Sequence, residues 1–290
     1  MPLLNRVLQH LELITQAALL LGLVFFAWIE VRKPRTALRA DRRARWQTNV
    51  TLYVLATVCM LLVFDPLSVQ AIRLGGAGGW GGLAATPWPT WVKVLLGVLL
   101  IDLLQYALHV AAHHIPWWWR LHKIHHSDTA MDASTAIRHH PLETLVNAFL
   151  LVVLLATLGV PVYAILLYAA LQQLHSLFCH ANLRLPPALE PWLRRVLVTP
   201  DMHAVHHSVR MREGNSNFGM VFPWWDRVFR SYCAQPAQGL DGMRMGIAEL
   251  DEQPQPGLLG LLGLPFGGSR PVQSTAKPQA DAARRRRGKR

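Results

Sequence analysis

The pattern HxxHH occurs twice in this chain, as His122-Lys-Ile-His125-His126 and as His203-Ala-Val-His206-His207, with long apolar stretches between the two copies. A third cluster, His109-Val-Ala-Ala-His113, precedes them, and every histidine except His10 falls between positions 109 and 207. Residues three or four apart on a helix project from one face, so each cluster can aim two or three imidazoles at one point. Neutral imidazole is the commonest protein ligand for zinc, iron, copper and nickel. A low-complexity histidine tract would lack this repeated spacing. Eight histidines in three matched clusters exceed what one tetrahedral ion can use, so the pattern predicts a two-metal site.

Composition places those histidines in a membrane. Of the 290 residues, 52% are hydrophobic and only 16% charged, a balance that points away from a soluble domain. The formal charge of +12 is concentrated in residues 32–45 and 284–290. Beside apolar spans, such basic clusters mark cytoplasmic loops more simply than nucleic-acid sites. Three cysteines, Cys59, Cys179 and Cys233, form no CxxC pair and argue for neither a disulfide framework nor a zinc knuckle.

The expected fold is therefore all-α and membrane-integral, with about four to five embedded helices and a cytoplasmic histidine-rich cap. Residues 11–29 form a first apolar run, better read as a span than as a signal peptide. The basic loop 32–45 is then cytoplasmic, a second span covers 47–64, and the Gly- and Trp-rich stretch 75–90 is external. A third span starts at Trp91, with Trp88 and Trp91 at its outer end and Trp117, Trp118 and Trp119 at its inner end as interfacial anchors. Residues 142–179 are apolar apart from Gly159-Val160-Pro161, which predicts a helical hairpin returning the chain to the histidine side. Residues 1–90 thus form an N-terminal two-span unit, 91–235 the catalytic domain, and 236–290 a disordered basic tail.

On the third span Asp102, Tyr106, His109 and His113 recur at helical spacing as one polar stripe. Ionisable residues within a span usually mark function, so Asp102 and Tyr106 are expected in a channel or behind the ligands. The helical register also prefers His113 over His114 as the partner of His109, since five residues turn the latter well off the face. Asp128, Asp201 and Asn217 are candidates to orient imidazoles, and Asp226 reads as structural.

With these motifs in view, the chain resembles the fatty acid hydroxylase superfamily, including sterol-desaturase-like membrane oxygenases. The resemblance covers roughly residues 98 to 232. It rests on the three boxes and on Asp102, Tyr106, Trp119–Ser127, Arg138 with His140-Pro141-Leu142-Glu143, His180-Ala181-Asn182, Thr199-Pro200, Asn217-Phe218-Gly219 and Trp225–Phe229. Three positions depart from the family: Val110 for a frequent Arg, Arg230-Ser231 for a frequent Gly-Thr, and His175 with Cys179 beside the usual solitary histidine.

The resemblance implies two iron ions held by His109, His113, His122, His125, His126, His180, His203, His206 and His207, with His140 or His175 as a tenth ligand. It also implies O2 as co-substrate and hydroxylation or desaturation of a lipid such as a fatty acyl chain or sterol-like molecule. Zinc hydrolysis fits poorly, because no HExxH motif occurs and no Glu lies inside a box. The sequence shows no dinucleotide fingerprint, haem motif or Cys-rich cluster, so a separate ferredoxin- or cytochrome-type donor protein is expected. A His-lined membrane metal carrier and a non-catalytic metal-binding scaffold are the competing readings.

Overall fold

A computed structural model describes residues 2–39, 41–64, 82–250 and 255–267, with side chains described from residue 16 onward. Helix α1 runs Pro2–Arg32, and α2 runs Arg42–Cys59 and continues through a π-turn at Met60–Phe64. Helices α3 (Thr90–His114) and α4 (Pro116–His126) follow, then a short 3-10 turn at Ala133–Ile137. Helices α5 (Pro141–Leu158) and α6 (Val162–His180) form a hairpin, and five short helices complete the chain: α7 Glu190–Leu193, α8 Pro200–His206, α9 Met211–Gly214, α10 Trp224–Val228 and α11 Leu258–Gly263. No strand occurs among the described residues; two isolated bridges, Pro34 to Leu183 and Ser208 to Met245, stand outside any sheet.

Four helical stretches among the described residues are long and apolar enough to cross a membrane: Arg42–Phe64, Thr90–His114, Pro141–Leu158 and Val162–His180. Their outward faces carry exposed Leu95, Phe149, Val153, Tyr163 and Leu167, the pattern of a rod solvated by hydrocarbon. The inward faces meet in a core of Val98, Ile101, Leu155, Val160, Ala164 and Tyr168 from α3, α5 and α6 and the turn between them. Gly97 permits a close approach of α3 to α6, because a Cβ there would lie 2.6 Å from that of Ala164. Small residues at such crossings let membrane helices pack backbone to backbone. The first expected span, 11–29, falls within α1. Positions 65–81, including much of the Gly-rich stretch expected to be external, lie outside the described residues.

Turn chemistry fixes where the histidines end up. Ile115 is extended (φ −89°, ψ 115°) because Pro116 follows it, so α3 stops and α4 starts with Pro at its first position. The second box is thereby turned back beside the end of α3. At the far end of the bundle Gly159 closes α5 in the left-handed conformation (φ 61°), and Pro161 precedes α6. The expected hairpin is present, and its turn is capped by the 82–85 segment, where Ala84 N–H donates to the Gly159 carbonyl at 2.8 Å. Residue 158 is thus at one end of the bundle and the three histidine boxes are at the other.

The basic segment after α1 packs onto the histidine end through buried charges. Arg45 grips Asp128 with two 2.8 Å bonds and reaches Asp132 at 3.1 Å, and Arg35 pairs with Asp201 at 2.8 Å. Burial alone would raise the Asp128 pKa, but the Arg45 and Arg138 guanidiniums outweigh it and hold the carboxyl below its ordinary value. Arg138, itself buried, donates to the Ile124 carbonyl, to Asn49 and to Ser127. Residues 236–250 and 255–267, within the stretch expected to be a disordered tail, are folded against this end. Leu261 of α11 is buried with Leu52 and Ile124, and Glu249 pairs with Lys123 at 2.6 Å. The apolar LLGLL run of α11 finds its partners, Leu52 and Ile124, only through the fold, so the linear sequence does not show them.

Candidate metal centre

Nine histidines converge into two buried groups. His109, His113, His122, His126 and His206 form the first, and His125, His180, His203 and His207 the second; within each group the ligand atoms all lie within 4.8 Å of one another. These are the nine residues named from the sequence. Neither HxxHH box stays together: α4 sends His122 and His126 to one group and His125 to the other. The third box, at the end of α8, sends His206 to the first and His203 and His207 to the second. Helical geometry makes this division, since i and i+4 share a face and the intervening i+3 residue points beside it.

Each group is aimed by contacts behind the rings. In the first, His109 Nδ1 donates to the Phe218 carbonyl at 2.8 Å, His206 Nδ1 to the Ser216 carbonyl at 2.7 Å, and His122 Nδ1 to Glu143 Oε1 at 2.5 Å. His113 Nδ1 meets Asn215 Oδ1 at 3.2 Å. In the second, His180 Nδ1 donates to the Ser176 carbonyl at 2.7 Å. A carbonyl or carboxylate accepts, so each of these Nδ1 atoms carries the ring proton and leaves Nε2 with a bare lone pair. Glu143 and the carbonyls of Ser176, Ser216 and Phe218 had not been assigned this work. Glu143 carried a signal in its motif, whereas main-chain acceptors carry none.

The Nε2 atoms face one another. His180 Nε2 lies 3.1 Å from that of His125 and 2.8 Å from that of His203, and His207 Nε2 is 3.2 Å from His203. His126 Nε2 sits 3.1 Å from His113 and 3.2 Å from His122, and the buried His206 Nε2 has no hydrogen-bond partner. Burial, reinforced by neighbouring imidazoles, pushes His125, His126, His203, His206 and His207 well below the ordinary histidine pKa. Neutral, buried rings with converging Nε2 atoms are what a bound cation satisfies. The donor set fits metal ions.

The remaining candidates are placed elsewhere. Asp102 is fully buried but accepts from Tyr168 OH (2.7 Å), Trp225 Nε1 (2.8 Å), Val221 N–H (3.1 Å) and Phe222 N–H (3.4 Å). It clamps α3 to α6 and α10. Tyr106 bonds Ser231 Oγ at 2.8 Å and stacks on Phe229. Neither residue lines the cavity beside the histidines. Asp128 and Asp201 are held by arginines rather than by imidazoles. Asn217 acts through its backbone: its left-handed φ of 51° turns the flanking Ser216 and Phe218 carbonyls onto His206 and His109, while its amide ties Met202 to Cys233. Asp226 accepts from Phe218 and Gly219 N–H groups and is structural. His140 caps α5 by accepting from Leu142 N–H, and His175 meets the Val198 carbonyl at 3.0 Å; neither joins a group. His114 turns its ring back to the Val110 carbonyl. His139, absent from the expected set, stacks on His125 with centroids 4.6 Å apart.

A cavity opens beside both groups, bounded by His109, His122, His125 and His203 and by Leu108, Ala112 and Met220. It shares His139, Gln172, Ser176 and Met220 with a larger groove that runs between α1, α2 and α6. The site is therefore reached from the flank of the helical bundle.

Fold and site together define a helical integral membrane protein with buried histidine clusters that fit metal ions. Residues 94–231 match the family model described as fatty acid hydroxylase. Over 151 residues the chain is 30% identical to an ornithine lipid hydroxylase of Rhizobium tropici, covering 51% of this chain and 44% of that protein. It is 27% identical over 210 residues to a fatty acid hydroxylase of a Lecanicillium species (68% and 54% of the two chains), and 29% identical over 160 residues to the alkylglycerol monooxygenase of Homo sapiens (54% and 34%). The chain thus spans about half or less of the length of these relatives. No solved structure matches.

Proposed function

We propose that this protein is a membrane-bound non-haem di-iron oxygenase that hydroxylates or desaturates a C–H bond of a lipid. The observation that carries the reading is the division of nine buried imidazoles into two adjacent groups beside a cavity continuous with a bilayer-facing groove. In this reading His109, His113, His122, His126 and His206 hold one iron, and His125, His180, His203 and His207 hold the other. Bound iron would supply O2 reduction at a site oxidising enough to break an unactivated C–H bond. The chain's own residues do the rest. Glu143, Asn215 and the Ser176, Ser216 and Phe218 carbonyls fix ring orientation and tautomer, which sets ligand basicity. Leu108, Ala112 and Met220 give the cavity apolar wall between the histidines and the lipid. An all-imidazole, thiolate-free set suits iron, zinc, copper or nickel better than magnesium or calcium, and the family resemblance favours iron among them.

Hydroxylation consumes O2, two electrons and two protons and yields water with the product, so the electrons come from a separate ferredoxin- or cytochrome-type protein. In this reading that partner docks at the histidine end, and the basic segment 32–45 packed there supports a cytoplasmic side by the positive-inside rule. A reporter fused after Arg290 should read cytoplasmic; an external signal would reverse the orientation. For the activity, the full chain in lipid discs would be loaded with ferrous iron and given a lipid extract and 18O2. Only after a ferredoxin or cytochrome system is added should the lipid change, gaining an 18O-labelled hydroxyl if it is hydroxylated or a new double bond with the label in water if it is desaturated, with two irons bound per chain. Sustained turnover with O2 alone, or water formed from O2 with the lipid unchanged, would sink the proposal.

A further inference from the structure

Three helices each carry an amide side chain four residues deeper in the membrane than a residue serving the histidine groups. Gln105 lies below His109 on α3, Asn147 below Glu143 on α5, and Gln172 below Ser176 on α6, and all six line the same cavity. Four residues is roughly one helical turn, so the three amides form a polar layer about 5–6 Å beneath the imidazoles. Polar groups at such depth cost free energy unless they are paired or used. Gln105 Nε2 donates to Gln172 Oε1 at 3.1 Å, which serves as a tie between α3 and α6. That tie does not extend to Asn147, whose Oδ1 is buried without a hydrogen-bond partner. Past Gln172 and Met220 the cavity continues into the groove beside Leu19 and Ala56, which leaves room for an apolar tail.

We infer that Asn147, beside the Gln105–Gln172 pair, reads a hydrogen-bond donor on the lipid, a hydroxyl or an amide N–H, about one helical turn from the carbon that is oxidised. The inference rests on the lipid-oxygenase reading and deepens it: the substrate is oxidised near a polar group and not far along a plain hydrocarbon chain. A site with an unpaired buried acceptor favours a ligand that satisfies it over an isostere that cannot, because the isostere leaves the acceptor desolvated and unpaired.

The test is equilibrium binding to the full chain in detergent, using an N-methyl fatty amide, a fatty alcohol and a fatty methyl ester of equal chain length. Displacement of a fluorescent fatty probe reports binding without any turnover. The amide, the alcohol or both should bind at least about tenfold more tightly than the ester, and the stronger of the two identifies the donor. In Asn147→Leu that preference should shrink to near unity. If this variant does not fold, Asn147→Ser keeps an acceptor oxygen at shorter reach and should show a reduced preference. Equal binding of the ester by the parent, or an unchanged preference in the variants, overturns the inference. Donor-selective binding by a metal-loaded protein that oxidises none of these lipids under reductant would leave the recognition standing and remove the catalytic reading.

Discussion

His126 and His207 stack with ring centroids 4.5 Å apart and planes 21° apart, although they belong to different histidine groups. The two groups therefore share a wall of imidazole. One ring comes from α4 and the other from the residue that ends α8, so the wall exists only when the second and third boxes are docked.

The His113-His114 pair separates a metal-facing ring from a neighbour that leaves the site. His113 sits with the first group, whereas His114 bonds back to its own helix at Val110. His113→Ala should lower bound iron and abolish lipid oxidation, while His114→Ala should retain metal near the parent amount. Elemental analysis of the two purified variants checks this, and depletion in the His114 variant with normal iron in the other would reverse it.

Glu143 holds His122 at 2.5 Å and is itself fully enclosed. Glu143→Gln keeps the shape but weakens the acceptor behind the ring. Metal affinity should fall by about 10- to 100-fold, read as faster iron loss to a chelator, with helicity unchanged. An unaltered chelation rate would show that the carboxylate does not support the ligand.

Arg230 is exposed and adopts φ 61°, a conformation that costs a side-chain-bearing residue on the order of 1 kcal/mol. Arg230→Gly removes that cost, partly offset by the greater freedom of an unfolded glycine. A net gain of about 0.5 kcal/mol, or a rise of about 1–2 °C in the melting midpoint, is expected. Asn217→Gly should do the opposite, despite its similar φ of 51°, because it deletes the amide bonds to Met202 and Cys233. Thermal melts of the two variants moving in the same direction would contradict this account.

Asp102 is expected to matter for stability and not for ligation. Asp102→Leu would leave Tyr168 OH, Trp225 Nε1 and the Val221 N–H without their acceptor. Each unpaired buried donor costs about 1–3 kcal/mol, so folded yield should drop sharply. Iron content per folded chain should stay near the parent value; selective iron loss in well-folded protein would return Asp102 to the site.

Much of this site was legible because ligand spacing is local. Three- and four-residue offsets survive in the linear sequence, and the nine histidines follow from box patterns together with the family resemblance. The all-helical architecture and the 142–179 hairpin were readable from apolar run length and from Gly159-Val160-Pro161. What supports the rings was less visible. Main-chain carbonyls at Ser176, Ser216 and Phe218 have no side-chain signature, and Asn217 reaches the rings through its left-handed backbone and not through its amide. Asp102 and Tyr106 show the converse: a charge or hydroxyl on the histidine stripe looks functional, yet α6, α10 and residues 221–231 arrive to satisfy it. Asp128 and Asp201 were similarly claimed by Arg45 and Arg35, which lie more than eighty residues away in sequence.

The splitting of each HxxHH box between both groups also bears on how the protein is made. A ribosome releases the second box well before the third, and the α5–α6 hairpin has to enter the bilayer in between. Until residues 203–207 emerge, neither group has its full complement of rings, so a half-synthesised chain offers a metal ion no closed site. On the proposed reading a metal ion could be enclosed only after the third box has docked, so bound metal would mark chains whose insertion is finished.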